Sequence, residues 1–161
     1  SIKDQSREVP QYFVRYDAPP GQRNTIAIDM TVPPPESNAY ETVRLPDIDR
    51  FVPCQTVATM VANKLVTPLD RFEKHGSIAG RDIYDIHHFL FQGLPWNEAV
   101  IKERSGKTPK IFFRTLHDFI KKHATQTVID QDLSTLLLPK QFQSARRTLK
   151  ADALSQLRRQ F

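Results

Sequence analysis

The sequence predicts an α+β protein in which a strand-rich part, residues 1–54, precedes a helical bundle, residues 55–161. Three observations carry this. Eight of the twelve prolines lie at or before Pro53, where no helical periodicity runs. Residues 25–32 alternate with period 2, as a strand requires. After residue 55, apolar residues recur at helical spacing and prolines become sparse. The chain of 161 residues, 39% hydrophobic and 25% charged, is long enough for a core without disulfide staples.

The strand-rich part opens with residues 11–16, where Tyr12, Phe13, Val14 and Tyr16 are the aromatic and β-branched types that suit a pleated surface. Pro19-Pro20-Gly21 signals a turn. In residues 25–32, Ile26, Ile28, Met30 and Val32 share one face, and Ala27, Asp29 and Thr31 the other. Pro33-Pro34-Pro35 ends the strand, because proline cannot donate to a ladder. Residues 40–45 read as a further strand, and Asp47-Ile48-Asp49 as a turn after Pro46.

Five helices follow. Residues 55–74 place Val57, Met60, Val61, Lys64, Leu65, Leu69 and Phe72 at helical spacings, with Pro68 expected to kink or break the helix. Residues 81–91 turn Ile83, Ile86, Phe89 and Leu90 inward, with Gly93 just past the end. Pro95 suits the first turn of a short helix to Arg104. Thr108-Pro109 opens the next, and the last runs from about Gln141 onward.

Charge follows the same division. Residues 1–50 carry a net −2 and residues 51–161 a net +7, with +5 in each of the segments 101–123 and 137–161. Lysine and arginine of this kind supply sequence-independent affinity for phosphates, although basic helices also serve as solvated faces. The basic helices carry no interleaved aromatic platform of the kind that grips single strands. No apolar stretch approaches a membrane span, and no apolar region follows the first charges as in a signal peptide. The single Cys54 excludes a disulfide framework and a cysteine-rich zinc site, and a free thiol points to a cytoplasmic setting.

Three places could carry chemistry. Asp29 is a carboxylate within an apolar strand, which makes it either a rigidly held Mg²⁺ ligand or general base or a solvated residue on the Thr31 face. Lys64 lies on the apolar side of its helix, where it either reaches a cleft to bind phosphate or snorkels from the edge of the stripe. Arg81-Asp82-Ile83-Tyr84-Asp85 puts Asp82 in a first helical turn, favoured by the helix dipole, and Asp85 one turn on. Arg71 and Arg81 are candidate ion-pair partners there. His87 and His88 point about 100° apart on a helix, which disfavours one shared metal ion. No glycine-rich phosphate loop, Gly-x-Ser-x-Gly or His-Glu-x-x-His occurs.

Lys64-Leu65, Asp70-Arg71 and Arg81-Asp82-Ile83-Tyr84-Asp85, preceded by the strand Ile26-Ala27-Ile28-Asp29-Met30, together resemble the AbiEii/AbiGii toxin family of nucleotidyltransferases. The resemblance covers roughly residues 10–93; beyond that the chain matches only in being helical and basic. It implies a DNA polymerase β-like fold, with residues 1–54 the remainder of an antiparallel or mixed nucleotidyltransferase sheet. It implies transfer of a nucleotide from an NTP, with Mg²⁺, to an RNA or tRNA acceptor, and a toxin paired with a cognate antitoxin in phage defence. Carried over residue by residue, Asp29 is the third catalytic carboxylate and a metal ligand, and Lys64 contacts the triphosphate. Asp82, with Asp85, completes the polar site, and Arg71 and Arg81 orient it. The family's opening Gly-Ser pair and Asp-x-Asp strand do not precede Asp29; Gly76-Ser77 and Asp47-Ile48-Asp49 stand in the wrong order. With Ser1 as first residue, the chain reads as the later part of a longer protein, unable to transfer nucleotides alone. The alternative is a non-catalytic basic module that binds nucleic acid or a partner protein.

Overall fold

The structure, a computed structural model, describes residues 11–30 and 33–161. The chain divides into two units, the first ending at Pro35 and the second spanning Glu36–Phe161.

The described part of the first unit is an antiparallel hairpin of β1 (Gln11–Arg15) and β2 (Thr25–Asp29), with Gln11 opposite Asp29 and Arg15 opposite Thr25. The connection is closed by the Gln22 N–H on the Pro19 carbonyl and by the Tyr16 hydroxyl on the Arg23 carbonyl. Gly21 takes the positive φ of 83° that this turn needs. The alternation of residues 25–32 thus yields a strand that stops at Asp29, and its expected continuation over Thr31 and Val32 lies outside the described residues. Ile26 and Ile28, which share one face of β2, are exposed, as a two-stranded ribbon has no second layer of its own.

The second unit begins with another antiparallel hairpin, β3 (Tyr40–Leu45) and β4 (Arg50–Gln55), in register from Tyr40↔Gln55 to Leu45↔Arg50. A 3₁₀ turn, Pro46–Ile48, joins the strands, and Asp49 takes a left-handed φ of 47° while its carboxylate accepts from Arg44 at 2.7 Å. The expected turn at Asp47-Ile48-Asp49 is therefore present. β4 was not expected, because Pro53 argues against a strand; it is accommodated on an edge, where proline leaves no inner ladder bond unmade.

Six helices complete the unit: α1 (Val57–His75), α2 (Gly80–Phe91), α3 (Glu98–Ser105), α4 (Pro109–His123), α5 (Gln126–Leu136) and α6 (Pro139–Arg158). Thr56 caps α1 by accepting the Thr59 N–H, and Gly76 closes it at φ 63°. α1 continues through Pro68, whose ring is buried; the expected break does not occur. Pro95 stands before α3 rather than in its first turn, and Asn97 caps that helix by accepting the N–H groups of Ala99 and Val100. α5 has only Ile129 and Leu133 buried, too few for its periodicity to register in the sequence.

α2 is the central helix, packed on α1, α5 and α6, while α4 packs on α6 and α3 on α1. The core joins Val61, Ala62, Leu65 and Val66 of α1 to Ile83 and Ile86 of α2, Phe112, Phe113, Leu116 and Ile120 of α4, and Leu149, Ala153 and Leu157 of α6. Each large aliphatic or aromatic side chain so buried contributes about 1.5–3 kcal/mol. Trp96 meets Phe113 edge-on at 5.1 Å, and Phe72 meets Phe119 at 5.2 Å. The fold class is thus α+β, with the strands in two separate two-stranded sheets among the described residues.

Candidate functional site between the first two helices

The contact between α1 and α2 gathers Lys64, Arg71, Asp82 and Asp85. Seven residues, two helical turns or about 10 Å, separate Lys64 from Arg71 along α1, whereas Asp82 and Asp85 are one turn apart on α2. Lys64 Nζ donates to Asp85 Oδ2 at 2.9 Å, and Arg71 Nε donates to Asp82 Oδ2 at 2.8 Å. The two cations therefore converge on one patch of α2. The earlier residue of α1 meets the later of α2, so the helices run antiparallel.

The two pairs differ in their access to water. The Asp82 side chain is 4% exposed and that of Arg71 28%. Lys64 is 47% exposed and Asp85 30%. A buried carboxylate must keep its partner, since an unpaired charge away from water is costly. An exposed ion pair contributes little to stability, so Lys64 can exchange Asp85 for another anion with small loss. Arg81 is exposed and makes no ion pair among the described residues. Asp82 also occupies the first turn of α2, where its charge is favoured by the helix dipole.

α2 starts at this point because of a neighbour distant in sequence. Ala79 offers no side-chain cap; instead Asp132 of α5 accepts the Gly80 N–H at 2.7 Å. A Cβ on Gly80 would lie 2.7 Å from the Val128 carbonyl oxygen and 2.8 Å from Ile129 Cα, so glycine is what lets α5 approach. α1 is held from its other side by Arg104 of α3, which donates to the Asn63 carbonyl and side chain and pairs with Asp70. Asp132 and Arg104 escape sequence reasoning because no local spacing links them to the helices they fix.

Two carboxylates elsewhere brace the unit. Glu103 accepts the N–H groups of Glu36 and Ser37 at 2.8 Å each, and these bonds, that of Ser37 foremost, hold its carboxyl below the usual glutamate range. Asp130 is held low by its hydrogen bond from Arg146, with Gln126 assisting, which ties α5 to α6.

Asp29 is the last residue of β2, in the first unit. Among the described residues, no three His, Cys, Asp or Glu side chains gather to hold a metal ion, and Asp82 and Asp85 are already paired with cations. These donors do not compose a Mg²⁺ site by themselves. His87 and His88 do not join one. Cys54 is a half-buried free thiol on β4. Among the described residues, no helix is long and apolar enough to cross a membrane.

A family model described as nucleotidyl transferase AbiEii toxin, type IV TA system, matches residues 1–159. No curated protein and no solved structure matches the chain.

Proposed function

Because the chain belongs to the AbiEii family of nucleotidyltransferase toxins of type IV toxin–antitoxin systems, we propose that its α1–α2 contact is the nucleotide-binding half of a nucleotidyl-transfer site. Enzymes of this kind use an NTP and a divalent metal, and a toxin of such a system has a cognate antitoxin. The observation that carries the reading is the unequal exposure of the two ion pairs, 47% at the Lys64 side chain against 4% at Asp82. Lys64 is the residue free to leave Asp85 and bind the triphosphate as a compact charge. Arg71 and Asp82 form the buried tie that keeps α1 and α2 at the spacing this needs, and Asp82 faces the same patch as Lys64. Arg81, exposed at the start of α2, adds a second cation for the phosphates, and Asp85 holds Lys64 extended while no nucleotide is bound. Asp29 is the proposed third catalytic carboxylate and metal-side ligand. A divalent cation such as Mg²⁺ needs more carboxylates than the described residues bring together.

The acceptor proposed is RNA, with a tRNA end as the specific form, since α4 and α6 carry most of the basic excess. Isolated, the chain is proposed to bind an NTP without transferring it, because the family's Gly-Ser and Asp-x-Asp carboxylates are not among its residues in that order. Labelled NTPs incubated with the chain and bulk tRNA are expected to leave the RNA unlabelled, while equilibrium titration gives saturable NTP binding that Lys64→Ala weakens and Lys74→Ala does not. RNA labelling that survives Asp29→Ala and Lys64→Ala would overturn the assignment. Salt-dependent RNA binding with no NTP binding would favour the basic-module reading instead.

A further inference from the structure

α2 faces α6 across an open groove of about 530 Å³, a volume typical of small-ligand sites. The floor on α2 is a run of flat rings. Tyr84 and His88 lie nearly parallel, with centroids 6.2 Å apart and 12° between planes, and His87 and Phe91 likewise, at 5.6 Å and 25°. Phe91 is 70% exposed. The facing wall on α6 is uncharged and combines the polar Gln141, Ser144 and Thr148 with the apolar Ala145 and Leu149. No carboxylate and no lysine or arginine lines the groove, yet Lys140 and Arg147, both exposed, sit beside these wall residues in α6.

Rings that stack, amides and hydroxyls that both donate and accept, and cations just outside describe one kind of occupant. It is planar, uncharged in the ring, bears hydrogen-bonding edges and carries a phosphate at its rim. We propose that the α2–α6 groove is a binding site for a single nucleobase of a phosphate-bearing nucleotide, stacked on the Tyr84/His88 and His87/Phe91 rings. The site is distinct from the Lys64 patch, which offers charges and no exposed ring pair, and it does not depend on nucleotidyl transfer. The α2 rings lie outside the basic segments of the sequence, so only the packing of α2 on α6 brings stacking surface and positive charge together.

The base has two possible sources, a free nucleotide or an unstacked base of single-stranded RNA, and 2-aminopurine reports either through quenching on stacking. The full chain is titrated into 2-aminopurine riboside triphosphate in one arm and into a short single-stranded RNA with one internal 2-aminopurine in the other. Saturable quenching is expected in at least one arm, weakened about tenfold by Phe91→Ala and abolished by Ser144→Trp, which fills the groove from an exposed position. Lys74→Ala, which alters an exposed lysine in the last turn of α1, is expected to leave that quenching intact. Both groove variants alter exposed residues, and matching circular dichroism verifies their fold. No saturable quenching in either arm, or quenching lost in Lys64→Ala but untouched by the two groove variants, would overturn the proposal.

Discussion

The Arg71–Asp82 pair predicts an asymmetry between its two members. Arg71→Met leaves a carboxylate that is 4% exposed without its cation. Asp82→Asn leaves a guanidinium that is 28% exposed and can reach water by a small rotation. Breaking a buried pair costs about 3–5 kcal/mol. The first-turn position of Asp82 offsets up to about 1 kcal/mol of that through the helix dipole, which puts Arg71→Met near 3 kcal/mol. The partial exposure of Arg71 brings Asp82→Asn down to about 1–2 kcal/mol. For a chain of this size 1 kcal/mol moves the melting temperature by about 2–4 °C, so the losses are about 6–12 °C and 2–8 °C. Thermal unfolding followed by circular dichroism near pH 7 reads both. The double variant is expected to lose less than the sum of the singles, by at least about 1 kcal/mol. Strict additivity, or a larger loss for Asp82→Asn than for Arg71→Met, would refute the reasoning.

Other outcomes follow from the same geometry. Lys64→Ala is expected to change stability by less than about 0.5 kcal/mol, because its ion pair is exposed; a larger loss in thermal unfolding would give Lys64 a structural role instead. Gly80→Ala sets a Cβ against the backbone of Val128 and Ile129 and should cost about 1–3 kcal/mol, with the amides of α2 and α5 losing hydrogen-exchange protection first. Glu103 has a lowered folded pKa against an ordinary value of 4.5, so its contribution is complete above that value and disappears as pH falls through the lower folded one. Glu103→Gln should therefore flatten the acid-side decline of the melting temperature, and an unchanged decline would count against its bonds to Glu36 and Ser37.

The α+β class and most elements were legible where one face of one element carries the signal. The stripe through Val61, Leu65, Ile83 and Ile86 and the turn chemistry at Gly21 and Gly76 are local and sufficient. Pro68 does not break α1, because the packing of its buried ring offsets the lost hydrogen bond, and Pro53 misleads because an edge strand has no need of its N–H. Of the candidate site, an arginine paired with the α2 carboxylates was legible from Arg71 and the run Arg81-Asp82-Ile83-Tyr84-Asp85, whereas the Lys64–Asp85 pair was not, since Lys64 reads only as reaching a cleft or snorkelling. Which arginine meets Asp82 was not legible either, since Arg81 is its neighbour in sequence and Arg71 lies eleven residues away, and only the helix crossing chooses Arg71. The Asp132 cap, the Arg104 brace and the α2–α6 groove depend on contacts between residues dozens apart, which periodicity does not encode.

The most direct measurement is affinity labelling with a pyridoxal-diphosphoadenosine, whose aldehyde occupies the terminal phosphate position, followed by borohydride reduction and peptide mass spectrometry. The predicted result is a single dominant adduct at Lys64 that excess NTP suppresses. Labelling spread over the lysines of α4 and α6, with Lys64 unmodified and NTP without effect, would contradict the assignment of the α1–α2 contact as a nucleotide site.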